Sequence, residues 1–148
     1  MYTTTIKSFA ELTTVELYNI LQLRSAVFVV EQDCVYQDID HKDHKAIHVL
    51  GYVEEELIAY TRIFNAGDYF KEASIGRVAV KQTHRNFGYG NLIMQSSIQA
   101  IKTHFNHTKI HISAQEYLLQ FYTSLGFNRV GEGYLEDNIP HIAMVKES

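Results

Sequence analysis

The six residues Arg85-Asn86-Phe87-Gly88-Tyr89-Gly90 are the part of this chain best equipped to hold a charged ligand. Gly88 and Gly90 let backbone come close where a Cβ would clash. The residues that follow, Asn91-Leu92-Ile93-Met94, read as the opening of a long amphipathic helix. A helix start offers unpaired N–H groups and the positive end of its dipole, so the loop suits a phosphate or pyrophosphate. Lys81, His84 and Arg85 add positive charge at the same mouth.

A P-loop needs Gly-Lys-Ser/Thr at the helix start, and Gly90 is followed by Asn91-Leu92. A dinucleotide fingerprint needs a small residue where Ile93 stands, and an acid at the end of the next strand. That strand, Lys109 to Gln115, carries none. What remains is Arg-x-x-Gly-x-Gly after Val78-Ala79-Val80. This resembles motif A of the GCN5-related N-acetyltransferases (GNAT), where such a loop cradles the pyrophosphate of coenzyme A. A second stretch, Ser113-Ala114-Gln115-Glu116-Tyr117-Leu118-Leu119-Gln120-Phe121-Tyr122-Thr123-Ser124-Leu125-Gly126-Phe127, is similar to motif B of that family. Gly126 stands where a helix C-cap favours a left-handed residue. The segments Gln22 to Gln32, Tyr36 to Asp40 and Ile139-Pro140-His141-Ile142 resemble the ElaA-like branch.

The resemblance implies a cosubstrate, acetyl-CoA, and a reaction, acetyl transfer to a primary amine by direct attack in a ternary complex. It assigns Val78, Ala79 and Val80, with Arg85, Asn86, Phe87, Gly88, Tyr89 and Gly90, to cofactor binding. Tyr122 falls on the motif B tyrosine, which implies that it returns a proton to the departing thiolate. A thiol near pKa 8.5 and a phenol near 10 are close enough for that exchange. An alkyl ammonium near 10.4 must also lose a proton. Glu31, on the apolar stripe of the first helix, and His48, on the strand after an acidic segment, are the two candidate bases, with bulk water as the remaining route. Arg62 and Arg77 sit in apolar strands and either bind an acceptor carboxylate or, the safer reading, pair with Asp or Glu. His41-x-x-His44 with Asp40 and Asp43 fits no common metal spacing, so no metal is expected. Cys34 has no His or Asp at a nucleophile's spacing.

Elements must bring these residues together. Thr3 to Phe9 reads as a first strand, and Thr13 or Thr14 as the N-cap of a helix with Glu16 in its first turn. Leu17, Ile20, Leu21, Val27 and Phe28 recur at helical spacing, and Arg24 and Glu31 fall on the same stripe, seven apart. Next come two antiparallel strands, His44 to Val53 and Glu56 to Phe64, joined at Glu54-Glu55. The chain continues with a strand over Ala73 to Val80, a helix over Gly90 to His104, and a strand over Lys109 to Ser113. A helix over Glu116 to Ser124 and strands over Phe127 to Gly133 and Ile139 to Lys146 complete the order. The expected fold is a single α/β (α+β) domain over residues 1–148, with a mixed, mostly antiparallel sheet flanked by helices. The resemblance adds that the parallel central strands splay apart to admit coenzyme A.

At 148 residues, 46% hydrophobic and 20% charged, the chain is one domain by size. A net charge of −4 and a pI of about 6.0 argue against a nucleic-acid surface. No apolar run reaches the roughly 20 residues of a membrane span. A single cysteine and the lack of a signal-peptide pattern point to a reducing cytoplasm. Acids cluster at Asp33, Asp38, Asp40 and Asp43, and again at Glu132, Glu136 and Asp137, which near a cleft would favour a cationic acceptor. The expected partner is a small-molecule or peptide amine acceptor, with small amine, polyamine, amino sugar, peptide N-terminus and protein lysine all left open by the sequence, and dimers are frequent in such domains. A rival reading keeps the fold but makes it a non-catalytic CoA or acyl-CoA binding sensor or interaction domain.

Overall fold

The computed structural model describes residues 1–148. Seven strands are arranged in one sheet in the order β1-β2-β3-β4-β5-β7-β6. They are β1 (Tyr2–Ser8), β2 (Ile47–Val53), β3 (Glu56–Phe64), β4 (Ala73–Val80), β5 (Ile110–Gln115), β6 (Asn128–Glu136) and β7 (Ile139–Lys146). Three helices flank the sheet: α1 (Thr14–Arg24), α2 (Tyr89–Phe105) and α3 (Leu119–Ser124).

Local chemistry explains the boundaries. Thr13 accepts from the Glu16 amide at 3.1 Å while the Glu16 carboxylate accepts from the Thr13 amide at 2.8 Å, a capping box that starts α1. Glu54 and Glu55 adopt φ of 50° and 68°, and Asp137 and Asn138 adopt 50° and 63°. Positive φ at both central positions gives two-residue hairpins whose twist matches their strands, which fixes the β2–β3 and β6–β7 pairings. Both faces of the central sheet are covered. Ile93, Met94 and Ile101 of α2 pack with Val49, Ile58 and Ile63. Ile20 and Leu23 of α1, with Val27, pack on the other face with Leu50, Leu57 and Tyr60. With both faces covered, β3 is buried from Leu57 to Phe64 and apolar at all of those positions except Thr61 and Arg62.

Several expected boundaries shift. The strand expected from His44 begins at Ile47, because Asp43–Lys45 form a 3₁₀ turn. The helix expected from Glu116 starts with a 3₁₀ turn over Glu116–Leu118 and becomes α-helical at Leu119. The first helix departs further. Beyond Arg24 it widens into a π-helical segment, Ser25–Glu31. Residues seven apart on an α-helix return to within about 20° of one face, but i→i+5 turns are wider and break that phase. Arg24 therefore points into the protein, fully buried, while Glu31 reaches the rim of a cleft.

The acidic segment after the π turn folds onto the sheet through a buried ionic cluster. Arg24 Nε donates to Asp38 at 3.0 Å and Nη1 to Asp43 at 2.7 Å. Arg62 grips Asp40 at 2.8 and 2.6 Å and also reaches Asp43 at 3.0 Å. Arg77 Nε donates to Asp38 at 2.8 Å. Arg62 and Arg77 thus take the pairing role that their apolar surroundings favoured. Asp40 and Asp43, half of the His41/His44 cluster, are held by arginines.

Candidate active site

Only two residue pairs join β4 to β5, the sheet's one parallel pairing: Ala73 with Ile110 and Ser74 with His111. Beyond them the strands part. On its other edge β4 bulges: Arg62 pairs with Gly76 and Tyr60 with Ala79, so Arg77 and Val78 oppose Thr61 alone. Arg77 takes φ 51° at this bulge. A bulge bends and twists its strand, and this one turns the end of β4 away from β5. The gap between the strands opens into two adjoining cavities.

The larger, about 640 Å³, runs along Val78 and Val80 to Arg85, Gly88, Tyr89 and Gly90 at the start of α2. The smaller, about 110 Å³, lies between Gly76, Arg77, Ser113, Cys34 and the β6–β7 hairpin. Phe28, Gln32, Val78, Gln115, Leu118 and Tyr122 border both.

At the wide end, Gly88 caps α2 with φ 84° and no side chain engages the helix start. The first intrahelical amide bond is that of Leu92 to the Gly88 carbonyl at 3.1 Å. The preceding N–H groups are left for a ligand. A Cβ on Gly88 would meet nothing of the protein within 4 Å, so its positive φ, not crowding, requires glycine. The loop and bulged strand together fit the shape and charge of a pyrophosphate followed by an extended chain. Replacing Gly88 with valine places a β-branched residue at a left-handed φ beside those amides. CoA affinity should fall tenfold or more, about 1.4 kcal/mol; titration calorimetry on the folded variant checks it, and unchanged affinity refutes the placement of the phosphates.

Some expected cofactor residues contribute less than their position in the motif implies. Ala79 is buried in the α1 core and lines neither cavity. Phe87 is 70% exposed and lies outside the cleft lining. Lys81 turns away to pair with Glu56. Arg85, Asn86, Gly88, Tyr89 and Gly90 do line the cleft, and His84 joins them.

The three residues expected to do chemistry separate. Tyr122 stands on α3 where the cavities meet, edge-on to Phe121 at 5.1 Å and Phe127 at 6.1 Å. Burial, and secondarily the nearby Tyr117, raises its hydroxyl pKa, so it stays protonated at neutral pH. Glu31 reaches the phosphate end of the cleft, not the acceptor end. It forms a two-point ion pair with Arg85, one contact measuring 2.8 Å. His48 lies fully buried beneath the acidic segment. Its Nε2 donates to the Asp43 carbonyl at 3.0 Å and its Nδ1 accepts from Tyr60 Oη at 2.6 Å. Burial, opposed by the bond to the Asp43 carbonyl, lowers its pKa. With both nitrogens engaged and no place in either cavity wall, His48 is a structural histidine.

These positions reverse the expectation for Glu31. In a Glu31→Gln variant Arg85 is freed for phosphate and one carboxylate leaves the mouth. CoA should bind roughly three- to tenfold more tightly at low salt, with the amine KM unchanged. A rise in amine KM with CoA binding unaltered would return Glu31 to the acceptor side.

A sheet split at its only parallel pairing, a bulged strand along the split and a glycine-capped helix at its mouth define the GNAT acyltransferase architecture. The acetyltransferase (GNAT) domain family matches residues 13–148, and the chain belongs to it. Within the family it is 43% identical over 140 residues to Protein ElaA of Escherichia coli, covering 93% of this chain and 92% of that protein. The crystal structure of E. coli ElaA superposes with a TM-score of 0.92 at 40% identity, over 99% and 100% of the two chains. An acyl-CoA N-acyltransferase from Pseudomonas aeruginosa gives a TM-score of 0.93 at 38% identity, over 99% of each chain. An aminoglycoside 6'-N-acetyltransferase solved with coenzyme A shares the fold, with a TM-score of 0.73 at 16% identity, over 96% of each chain.

Proposed function

We propose that this chain is an acetyl-CoA-dependent N-acetyltransferase that acts on a primary amine by direct attack in a ternary complex. One observation carries the reading: Tyr122 sits on the wall common to a long cleft suited to CoA and a small cavity suited to an acceptor. The larger cavity accommodates pyrophosphate at the α2 N-terminus and the pantetheine arm along Val78 and Val80. That path delivers the thioester beside Tyr122. Bound there, acetyl-CoA supplies an electrophilic carbonyl and a thiolate leaving group. The backbone at Val78 and Val80 steadies the arm, and the Tyr122 hydroxyl, kept protonated by burial, gives its proton to sulfur. The match to the acetyltransferase (GNAT) domain family and the likeness to an acyl-CoA N-acyltransferase from Pseudomonas aeruginosa support an acyl-CoA donor.

Glu136 and Asp137 line the acceptor cavity, which favours a cationic small-molecule or peptide amine. The test is release of free CoA thiol when acetyl-CoA meets a panel of amines, with products identified by mass spectrometry. Thiol release coupled to an N-acetyl product is expected. Tight CoA binding with no release across the panel would instead identify a CoA-sensing domain.

A further inference from the structure

The base that neither Glu31 nor His48 can supply is present in the small cavity. Taking the acetyl-transfer reading above as given, we propose that His141 deprotonates the acceptor and Glu136 seats its ammonium group. The acceptor class that follows is a slender aliphatic amine with no carboxylate near its nitrogen.

His141 is only 7% exposed, and its ring lines the cavity. Its Nδ1 lies 2.7 Å from the Ile139 carbonyl oxygen, so Nδ1 carries the hydrogen and the lone pair is on Nε2. Nε2 makes no hydrogen bond; the Glu136 carboxylate is the charge it faces, 3.6 Å away. His141 is buried and Glu136 half-exposed at the cavity rim, and two acceptors directed at one another repel unless a donor with more than one N–H bridges them. A primary ammonium, with three, satisfies both. Glu136 is steadied from behind by Ser113 Oγ at 3.2 Å, and the His141 ring lies against Tyr134 with centroids 6.2 Å apart at 22°. Fixed on both sides, the pair is preorganised to receive a ligand.

Its position relative to the acid completes the case. His141 pairs across β5–β7 with Gln115, which borders both cavities together with Tyr122. Base and acid thus approach the shared wall from β7 and α3. In the reaction one ammonium proton passes to Nε2, and the nitrogen lone pair forms a C–N bond at the thioester carbonyl. The C–S bond then breaks, sulfur takes the Tyr122 proton, and the nitrogen's second proton restores the phenol. His141 returns its proton to water, so one proton is released per amide formed.

Charge selects the substrate class. Arg77, across the cavity, is engaged by Asp38 and Asp40, and in that cluster three guanidiniums meet three carboxylates. The wall therefore offers no free cation to an acceptor carboxylate, while Glu136 and Asp137 bring two negative charges. A small cavity of about 110 Å³ favours a slender reacting end over a branched ring system.

The groups that face His141 set how the test is read. Glu136 and Tyr134 face it from β6, and Asp137 from the hairpin. Glu116 approaches the same strand from the turn after β5, and Cys34, Tyr36, Arg77 and Tyr122 line the rest of the cavity. A protonated Nε2 cannot accept a proton, so kcat/KM should fall as pH drops, and loss of that limb on substitution assigns it among these neighbours.

The experiment has two arms. Without acetyl-CoA, the 15N resonances of the His141 ring are followed while the protein is titrated with propylamine, 1,3-diaminopropane and glycine. The first two should shift Nε2 at concentrations about tenfold below glycine, and Glu136→Gln should abolish the shift. With acetyl-CoA, His141→Asn should lower kcat about 100-fold and flatten the acidic limb. Glu136→Gln should raise the amine KM about tenfold with kcat changed less than threefold. Both variants should bind CoA as the parent does, which shows them folded. An unmoved Nε2 resonance with either amine, or an unchanged acidic limb in folded His141→Asn, overturns the proposal. Absence of thiol release from the parent with every amine overturns acetyl transfer instead, and the titration without acetyl-CoA tells the two failures apart.

Discussion

Tyr122→Phe will slow turnover about 100-fold and leave CoA affinity within about twofold of the parent. The ring's edge-on contacts with Phe121 and Phe127 involve no hydroxyl, so packing is kept and only the donor is lost. General acid catalysis is worth about 10² to 10⁴ in rate, and the lower end applies where water can partly substitute. Steady-state kinetics at saturating acetyl-CoA and amine measure the effect. Undiminished turnover would make Tyr122 a packing residue and leave the thiolate to find its proton in water.

Arg24→Met will cost about 3–5 kcal/mol of folding stability, the loss typical when one partner is removed from a buried ion pair. Arg24 is fully buried and holds both Asp38 and Asp43, so methionine fills space but leaves three carboxylates to two guanidiniums. Asp38 is then held by Arg77, Asp43 shares Arg62 with Asp40, and one charge is uncompensated. For a chain of this size the melting temperature should fall by roughly 10–15 °C. The exposed pair between the N-terminus and Glu54 is the control, and Glu54→Gln should change stability by less than about 0.5 kcal/mol. The same cluster sets acid sensitivity. Burial opposes ionisation of Asp40, but its bonds to Arg62, with Arg77 behind, outweigh this and hold its carboxyl at about 2. Asp43 is likewise lowered, its burial outweighed by Arg24 and then Arg62. Groups whose folded pKa lies below the unfolded value, near 3.9 for Asp, stabilise above it. Stability should therefore hold above about pH 4 and decline as pH falls toward 2, followed by urea denaturation across that range. A flat profile there would mean that the aspartates gain nothing from their arginines.

Much of this protein was legible in its residues because the signals are local. The Thr13–Glu16 capping box, the paired positive-φ turns at Glu54-Glu55 and Asp137-Asn138, and the glycine loop before α2 are each set within a few residues. Local sterics and hydrogen bonds decide them before any distant contact forms. Element order followed, and with it the GNAT architecture. Tyr122, singled out by its motif, lies in both cavity walls.

The chemistry of the acceptor side was not legible, for a physical reason in each case. Glu31 shared a stripe with Arg24 only if the helix stayed α-helical; the π segment rotated it to Arg85. His48 looked free on a strand, yet both its nitrogens are engaged by Tyr60 and by the acidic segment folded above it. His141 stood in the Ile139-Pro140-His141-Ile142 segment of the resemblance, but no spacing marked it as a group for chemistry. Its Nε2 becomes distinctive only when β7 pairs with β5 and β6 and brings Gln115, Ser113 and Glu136 around it, from positions 5 to 28 residues away. The sequence by itself determined the elements and the glycine loop before α2, since these depend on neighbours in the chain. Only the tertiary structure decided which charges cancel and which nitrogen keeps a free lone pair, since Coulomb and hydrogen-bond energies depend on distances that folding sets.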